Sequence, residues 1–238
     1  MMSELKLRAT SSKGQLQNLP RRGYEYAKQL GARDEADLLR ICSDRHHEAP
    51  ARGRACLALG FTKYEKAVPA LVKLANDDDL SVVVNATRAL AMIGSRRAVL
   101  PMMRLAQAAS RLEVRNRAVD VLGLIGDRRA ERLLINIIGD EEADESTRCC
   151  AVQAIPGLPK GRARKSRCLT RILRHPSPLL RWNALNSLGV IGDYSALPEI
   201  RKHLKDKENV PGLPSKQTVS TAARAALRNI KVCSEGAD

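Results

Sequence analysis

Apolar residues along most of this chain fall at helical spacing, and the unit they build is plainest between Val114 and Ile138. There an amphipathic stretch, a tight turn at Gly126-Asp127 and a second amphipathic stretch follow one another, which predicts two antiparallel helices joined by a short loop. The landmarks recur. First-helix alanines fall at Ala55, Ala86, Ala118, Ala151 and Ala184, separated by 31, 32, 33 and 33 residues by subtraction. Leu59, Leu90, Leu122, Ile155 and Leu188 follow four positions on, and Ala67, Ala98, Ala130, Ala163 and Ala196 open the second helices. Three landmarks that keep one register over five copies mark a repeat, because chance apolar matches would drift out of phase. A sixth first helix is predicted at Val219 to Ile230, with Ala223 and Leu227 in the matching places, after an insertion whose Pro211, Gly212 and Pro214 predict a loop.

The ends differ from the middle. Residues 1–22 are polar and basic and read as a mobile N-terminal tail; an amphipathic presequence is the alternative, and Glu4 interrupts its basic run. Tyr24 to Gly31 and Asp34 to Cys42 predict a first, abbreviated helix pair, as expected of an end unit with one neighbour. The expected organisation is one domain over 23–232, with units near 23–46, 50–79, 80–111, 112–145, 146–177 and 178–208, a terminal helix at 217–232 and a tail at 233–238. In the fourth unit Pro156-Gly157-Leu158-Pro159 replaces the usual glycine turn, so its first helix should end early or kink.

Composition narrows the class. Aromatics make up 3% of the 238 residues while the apolar fraction is 44%, so the core must be built of Ala, Leu, Ile and Val, and the chain is expected to be all-α. No segment approaches the ~20 apolar residues of a membrane span, and a cytoplasmic location is expected. The formal charge of +15 favours a polyanionic or acidic partner without choosing among nucleic acid, anionic membrane surface and protein. Six cysteines without a Cys-x-x-Cys pair read as small buried hydrophobes. Cys149 and Cys150 diverge by ~100° on a helix, so one should be core and the other partly exposed.

The residues Arg115, Ala118, Leu122, Gly123, Ile125, Gly126, Asp127 and Ala130, repeated as Arg181, Ala184, Leu188, Gly189, Ile191, Gly192, Asp193 and Ala196, resemble HEAT-like repeats, particularly the short bacterial type of phycobilisome lyase subunits. The resemblance covers roughly Gly23 to Ile230. It implies a right-handed α-solenoid of about six antiparallel helix pairs, and it implies that Arg115, Arg148 and Arg181 pair with the turn aspartate of a neighbouring unit. It specifies activity poorly, since the architecture hosts many functions.

Three enzymatic relatives of the architecture can be weighed on residues. HEAT-like DNA glycosylases read bases with aromatic side chains, and the late repeats here offer Trp182 and Tyr194 alone. Deoxyhypusine hydroxylases use several His-Glu pairs, and His47-Glu48 is the one such pair here. Phycobilin lyase subunits work as partners of a second chain and carry no single marking motif. Cys42 and His46, four apart with His47 and Glu48 nearby, have metal-ligand spacing of low specificity. No catalytic, cofactor or metal residue is therefore assigned, and no cofactor is expected.

What remains is charge. Within-pair turns carry Lys63 and Lys66, Arg96 and Arg97, Arg128 and Arg129, then Lys160, Arg162, Arg164 and Lys165, which a regular repeat would place along one edge. Second helices, which line the concave face in this architecture, add Lys73, Arg104, Arg132, Arg167, Arg171, Arg174, Arg201, Lys202 and Lys205. Arg167, Arg171 and Arg174 share a helical face. These residues are the candidate binding surface; the alternative is a solvated edge that keeps the array in solution. The expected function is a non-catalytic scaffold for a protein with an acidic surface, not an enzyme, with sequence-independent nucleic-acid binding as the runner-up and a lyase subunit behind both.

Overall fold

The structure, a computed structural model, describes residues 21–235 except 160 and 215, without the side chains of 21, 22 and 231–235. The tail expected at the N-terminus lies outside the described residues up to residue 20. Thirteen α-helices are described. α1 (Arg21–Gln29), α2 (Glu35–Ser43), α3 (Ala49–Phe61), α4 (Val68–Leu74), α5 (Leu80–Ile93), α6 (Val99–Ala108) and α7 (Leu112–Ile125) fall in a first compact unit that ends at Ile125. α8 (Glu131–Gly139), α9 (Glu145–Ala154), α10 (Arg162–Ile172), α11 (Pro178–Ile191), α12 (Leu197–Lys202) and α13 (Val219–Glu235) fall in a second that begins at Gly126. Among the described residues every extended element is a helix, as an all-α chain requires.

Each helix starts and stops for a local reason. Asp34, Asp79 and Ser177 accept hydrogen bonds from backbone N–H groups in the first turns of α2, α5 and α11, satisfying donors that have no partner inside the helix. Gly94 and Gly192 end α5 and α11 at φ +70° and +68°, a left-handed conformation that costs glycine nothing. Lys63 holds the equivalent place after α3 at φ +53°. After the glycine, Ser95 and Asp193 accept from the backbone N–H two residues on and open a single 3₁₀ turn, Arg96–Ala98 and Tyr194–Ala196; Asp127 does the same ahead of Arg128–Ala130.

First helices stack on first helices within each unit, and the repeat landmarks form the seam. Ala55, Leu59, Ala86, Leu90, Ala118 and Leu122 are fully buried in the first unit, as are Ala151, Ile155, Ala184 and Leu188 in the second. The stack is close: a Cβ on Gly60 of α3 would lie 2.8 Å from the Ala89 Cα of α5, so glycine is what lets the two backbones approach. Second-helix alanines Ala67, Ala98, Ala130 and Ala196 are buried, but Ala163 is exposed. The register slips there because α9 stops at Ala154, gives way to a 3₁₀ turn at Ile155–Gly157, and α10 starts after Gly161 at φ +69° with no 3₁₀ turn before it. Early termination is what Pro156 imposes. The loop expected around Pro211, Gly212 and Pro214 is pinned by an isolated antiparallel bridge between Asn209 and Thr218. α13 runs on to Glu235 and so includes 233–235, which the sequence pattern places in a tail.

Candidate functional site

Of the arginines three positions before a first-helix alanine, Arg52, Arg148 and Arg181 are buried and Arg115 is half-buried, and Arg52 and Arg181 pair differently from the expectation. Arg52, in this slot but absent from the motif as read, lies 6% exposed and forks onto both carboxylate oxygens of Asp77, itself 6% exposed, while its Nε donates to the Cys42 carbonyl at 3.4 Å. Arg181 donates from Nε to Asp206 at 3.1 Å and from Nη1 to the carbonyls of His175 and Pro176, and its Nη2 lies 3.1 Å from Glu208. The acceptor is thus the aspartate of the loop between pairs, not the turn aspartate. The arginine sits in the first turn of its helix, and a helix of about 14 residues puts the turn about 20 Å away. Turn aspartates instead cap: Asp127 takes the Arg129 backbone N–H at 2.9 Å and Asp193 that of Ser195 at 3.0 Å.

The thirteen candidate cations separate into different environments. Arg96, Arg97 and Arg104 of the first unit are exposed, as are Arg128, Arg132, Arg162, Arg167, Arg171, Arg174 and Arg201 of the second. Arg129 is already neutralised, with Nε and Nη2 each 3.0 Å from Asp127, which raises its pKa through that hydrogen bond. Arg164 lies 3.5 Å from Glu131. Lys165 is turned inward, 7% exposed, with Nζ donating to the Leu158 carbonyl at 2.7 Å. Burial lowers its pKa. It closes the irregular turn that Pro156 creates, a role invisible in a list of charges. Lys160 lies outside the described residues. Arg171 and Arg174 do meet, with Thr170 and Glu199, around an open groove of about 410 Å³.

A larger groove of about 570 Å³ lies in the first unit between α2 and α4. Leu39, Pro69, Ala70 and Leu74 supply apolar wall, Lys66, Lys73 and Arg45 supply positive charge, and the Arg52–Asp77 pair lies at its side. Arg45 is engaged by Asp78 at 3.3 Å with both side chains largely in water, so that pair contributes little. This combination of apolar surface and a few cations suits a small amphipathic anion. Lys66 and Lys73 were legible as charges, but their convergence with α2 was not, because it depends on how the end unit docks.

The cysteines follow the reading from helical geometry: Cys149 is buried and Cys150 half-buried. Burial pushes the Cys149 thiol up to about 11. Cys42 is buried against α3, where its contact with Cys56 lowers its pKa and raises that of Cys56, whereas His46 and His47 are exposed, so the four residues do not converge. Among the described residues no cluster of His, Cys, Asp and Glu could hold a metal ion, and no helix is long and apolar enough to cross a membrane.

Comparison with known proteins places this geometry. Residues 35–123 match the family model of HEAT repeats. The chain is 34% identical over 158 residues to the bilin biosynthesis protein PecE of Mastigocladus laminosus, covering 63% of this chain and 55% of the relative. It is 30% identical over 155 residues to PecE of Nostoc sp. (strain PCC 7120 / SAG 25.82 / UTEX 2576), covering 63% and 58%. The chain therefore spans little more than half the length of these curated relatives. Among solved structures, the complex of CpcE and CpcF of phycocyanin lyase from Nostoc sp. PCC7120 gives a TM-score of 0.48 at 21% identity, over 87% of this chain and 85% of that one. A designed armadillo repeat protein in complex with the peptide (KR)4 gives 0.48 at 20% identity, over 87% and 98%. The bilin biosynthesis relatives overturn the expectation of a non-catalytic scaffold, its nucleic-acid alternative and the reading as a non-enzyme. Those expectations rested on the absence of a catalytic motif. Residues 35–123 thus carry HEAT repeats, and beyond them the same alanine and leucine landmarks stay buried through Ala196 apart from Ala163.

Proposed function

We propose that this chain acts in bilin biosynthesis as a lyase-type subunit that binds an open-chain tetrapyrrole and, with a second protein chain, presents it for attachment to an acceptor. The observation that carries the reading is the 34% identity to a bilin biosynthesis protein over 158 residues. The groove between α2 and α4 supports it chemically. A bilin is an elongated apolar ring system with two propionates, and the groove offers apolar wall at Leu39, Pro69, Ala70 and Leu74 with Lys66 and Lys73 to meet carboxylates. The buried Arg52–Asp77 pair has the part of a rigid support that fixes α2 against α3. Within this reading, exposed Arg96, Arg97 and Arg104 are candidates to meet the second chain.

An attachment reaction tests the proposal: bilin, acceptor apoprotein and second chain are combined with and without this protein, and covalent chromophore is read by fluorescence after denaturing electrophoresis. Chromophore attachment that depends on this chain supports it. Equal attachment in its absence rejects it.

A further inference from the structure

Of the three buried arginines in this slot, Arg52 and Arg181 pair with a carboxylate and Arg148 does not. In the first unit the acceptor is Asp77, two residues before the N-cap of α5, and one carboxylate does two jobs: Oδ1 also accepts from the Asp79 backbone N–H at 3.1 Å while both oxygens take the Arg52 fork. In the second unit Asp206 likewise accepts from the Glu208 N–H at 3.2 Å and from Arg181 at 3.1 Å. The corresponding place before the N-cap of α11 is His175. Its Nδ1 lies 3.0 Å from the Ser177 backbone N–H and its Nε2 lies 3.3 Å from Arg148 Nη1. Arg148 keeps the rest of the pattern, with Nε donating at 3.2 Å to the Ile138 carbonyl ten residues back, as Arg52 does to Cys42.

An imidazole cannot replace the carboxylate in both jobs. The neutral ring has one nitrogen with a free lone pair, and the protonated ring has none. With Ser177 N–H satisfied at Nδ1, the proton sits on Nε2 and points a donor at a donor. Arg148 is 7% exposed, and no carboxylate pairs with it among the described residues. A buried guanidinium without an anion is costly, and here two N–H donors, from Arg148 and the His175 ring, face each other at 3.3 Å.

We propose that Arg148 and His175 form a receiving site for a carboxylate borne by a small molecule, which takes a hydrogen bond from each and supplies the charge that Asp77 and Asp206 supply internally elsewhere. Glu141 and Glu145 lie near enough to act on His175 electrostatically, as do Arg148 and Arg181, so the net field is mixed and the specific geometry decides. The site lies in the second unit, apart from the groove between α2 and α4, and does not depend on that groove holding a bilin.

Sodium propionate, compared with sodium chloride at equal ionic strength, tests the site by thermal unfolding of the full chain and of His175→Asp, which restores the internal carboxylate. At roughly ten times its Kd, propionate should raise the wild-type Tm by about 3–6 °C over chloride, and should do nothing to His175→Asp. Equal effects on both proteins, or no effect on the wild type, overturn the proposal. Should His175→Asp fail to fold, the wild-type imidazole ¹⁵N resonances decide: saturable movement of the Nε2 signal with propionate supports the site, and unmoved resonances overturn it. Inorganic phosphate in place of propionate separates carboxylate recognition from general anion binding, and equal or tighter phosphate binding overturns the carboxylate assignment.

Discussion

Replacing Asp77 with alanine should be among the most damaging single changes to the first unit. The side chains of Arg52 and Asp77 are 8% and 6% exposed, so neither charge is compensated by water when the other is removed. Loss of the carboxylate leaves two guanidinium N–H donors and the Asp79 backbone N–H without acceptors. Each hydrogen bond to a charged group contributes about 1.5–3 kcal/mol, and breaking a buried pair by removing one partner costs about 3–5 kcal/mol in total. For a chain of this size that is a fall of roughly 6–20 °C in Tm. Urea unfolding followed by circular dichroism measures it, with attention to whether the two units melt together. The double variant Arg52→Met/Asp77→Leu should recover most of the loss, because the cost is an orphaned buried charge and not a missing attraction. Arg33→Ala, which removes an ion pair whose arginine is 82% exposed, should leave the unfolding midpoint unchanged. A loss below about 1 kcal/mol for Asp77→Ala, or a double variant as unstable as the single one, would refute the reasoning.

Three further outcomes follow from particular positions. Gly60→Ala should destabilise by about 1–2 kcal/mol in chemical unfolding, overpacking against Ala89 at 2.8 Å outweighing the gain in helix propensity, whereas Gly139→Ala, which meets nothing within 4 Å, should be neutral or stabilising. Lys63→Gly should stabilise by up to about 1 kcal/mol by relieving a left-handed residue at φ +53°, and Gly94→Ala should lose a similar amount; the order of the two midpoints checks this. Burial, and then Arg148, hold the His175 pKa below its ordinary value of 6.5. The unfolded chain thus binds a proton that the folded chain refuses, so the stability at stake is whole above about pH 6.5 and is lost as pH falls through the folded value. His175→Gln should flatten the loss between pH 7 and 5, and an unchanged slope would contradict this.

Helices and core were legible because period and burial are the same fact: Ala118 and Leu122 repeat every turn of the array and are fully buried. The register failed at Ala163, where Pro156 and Gly161 replace the standard turn and one landmark ends in water. Charges were poorly legible. Arg97, Arg129 and Lys165 look alike in sequence, yet Arg129 is held by Asp127 and Lys165 is turned inward onto the Leu158 carbonyl, distinctions that depend on how each turn folds back on neighbours two to seven residues away. Arg52 occupies the motif's arginine slot in a repeat that lacks the Gly-Asp turn, so the motif does not mark it. His175 gave no signal until its place before the N-cap could be compared with Asp77 and Asp206. The groove between α2 and α4 joins residues from the end unit to the first full repeat, which periodicity cannot specify.

The most direct test of the bilin reading is an equilibrium titration of an open-chain tetrapyrrole against the purified chain, followed by its absorbance. A saturable spectral change that weakens at least tenfold in Lys66→Glu/Lys73→Glu, while that variant keeps the wild-type melting temperature, is the expected result. A spectrum that stays that of free tetrapyrrole, or binding that ignores both lysines, would contradict the account.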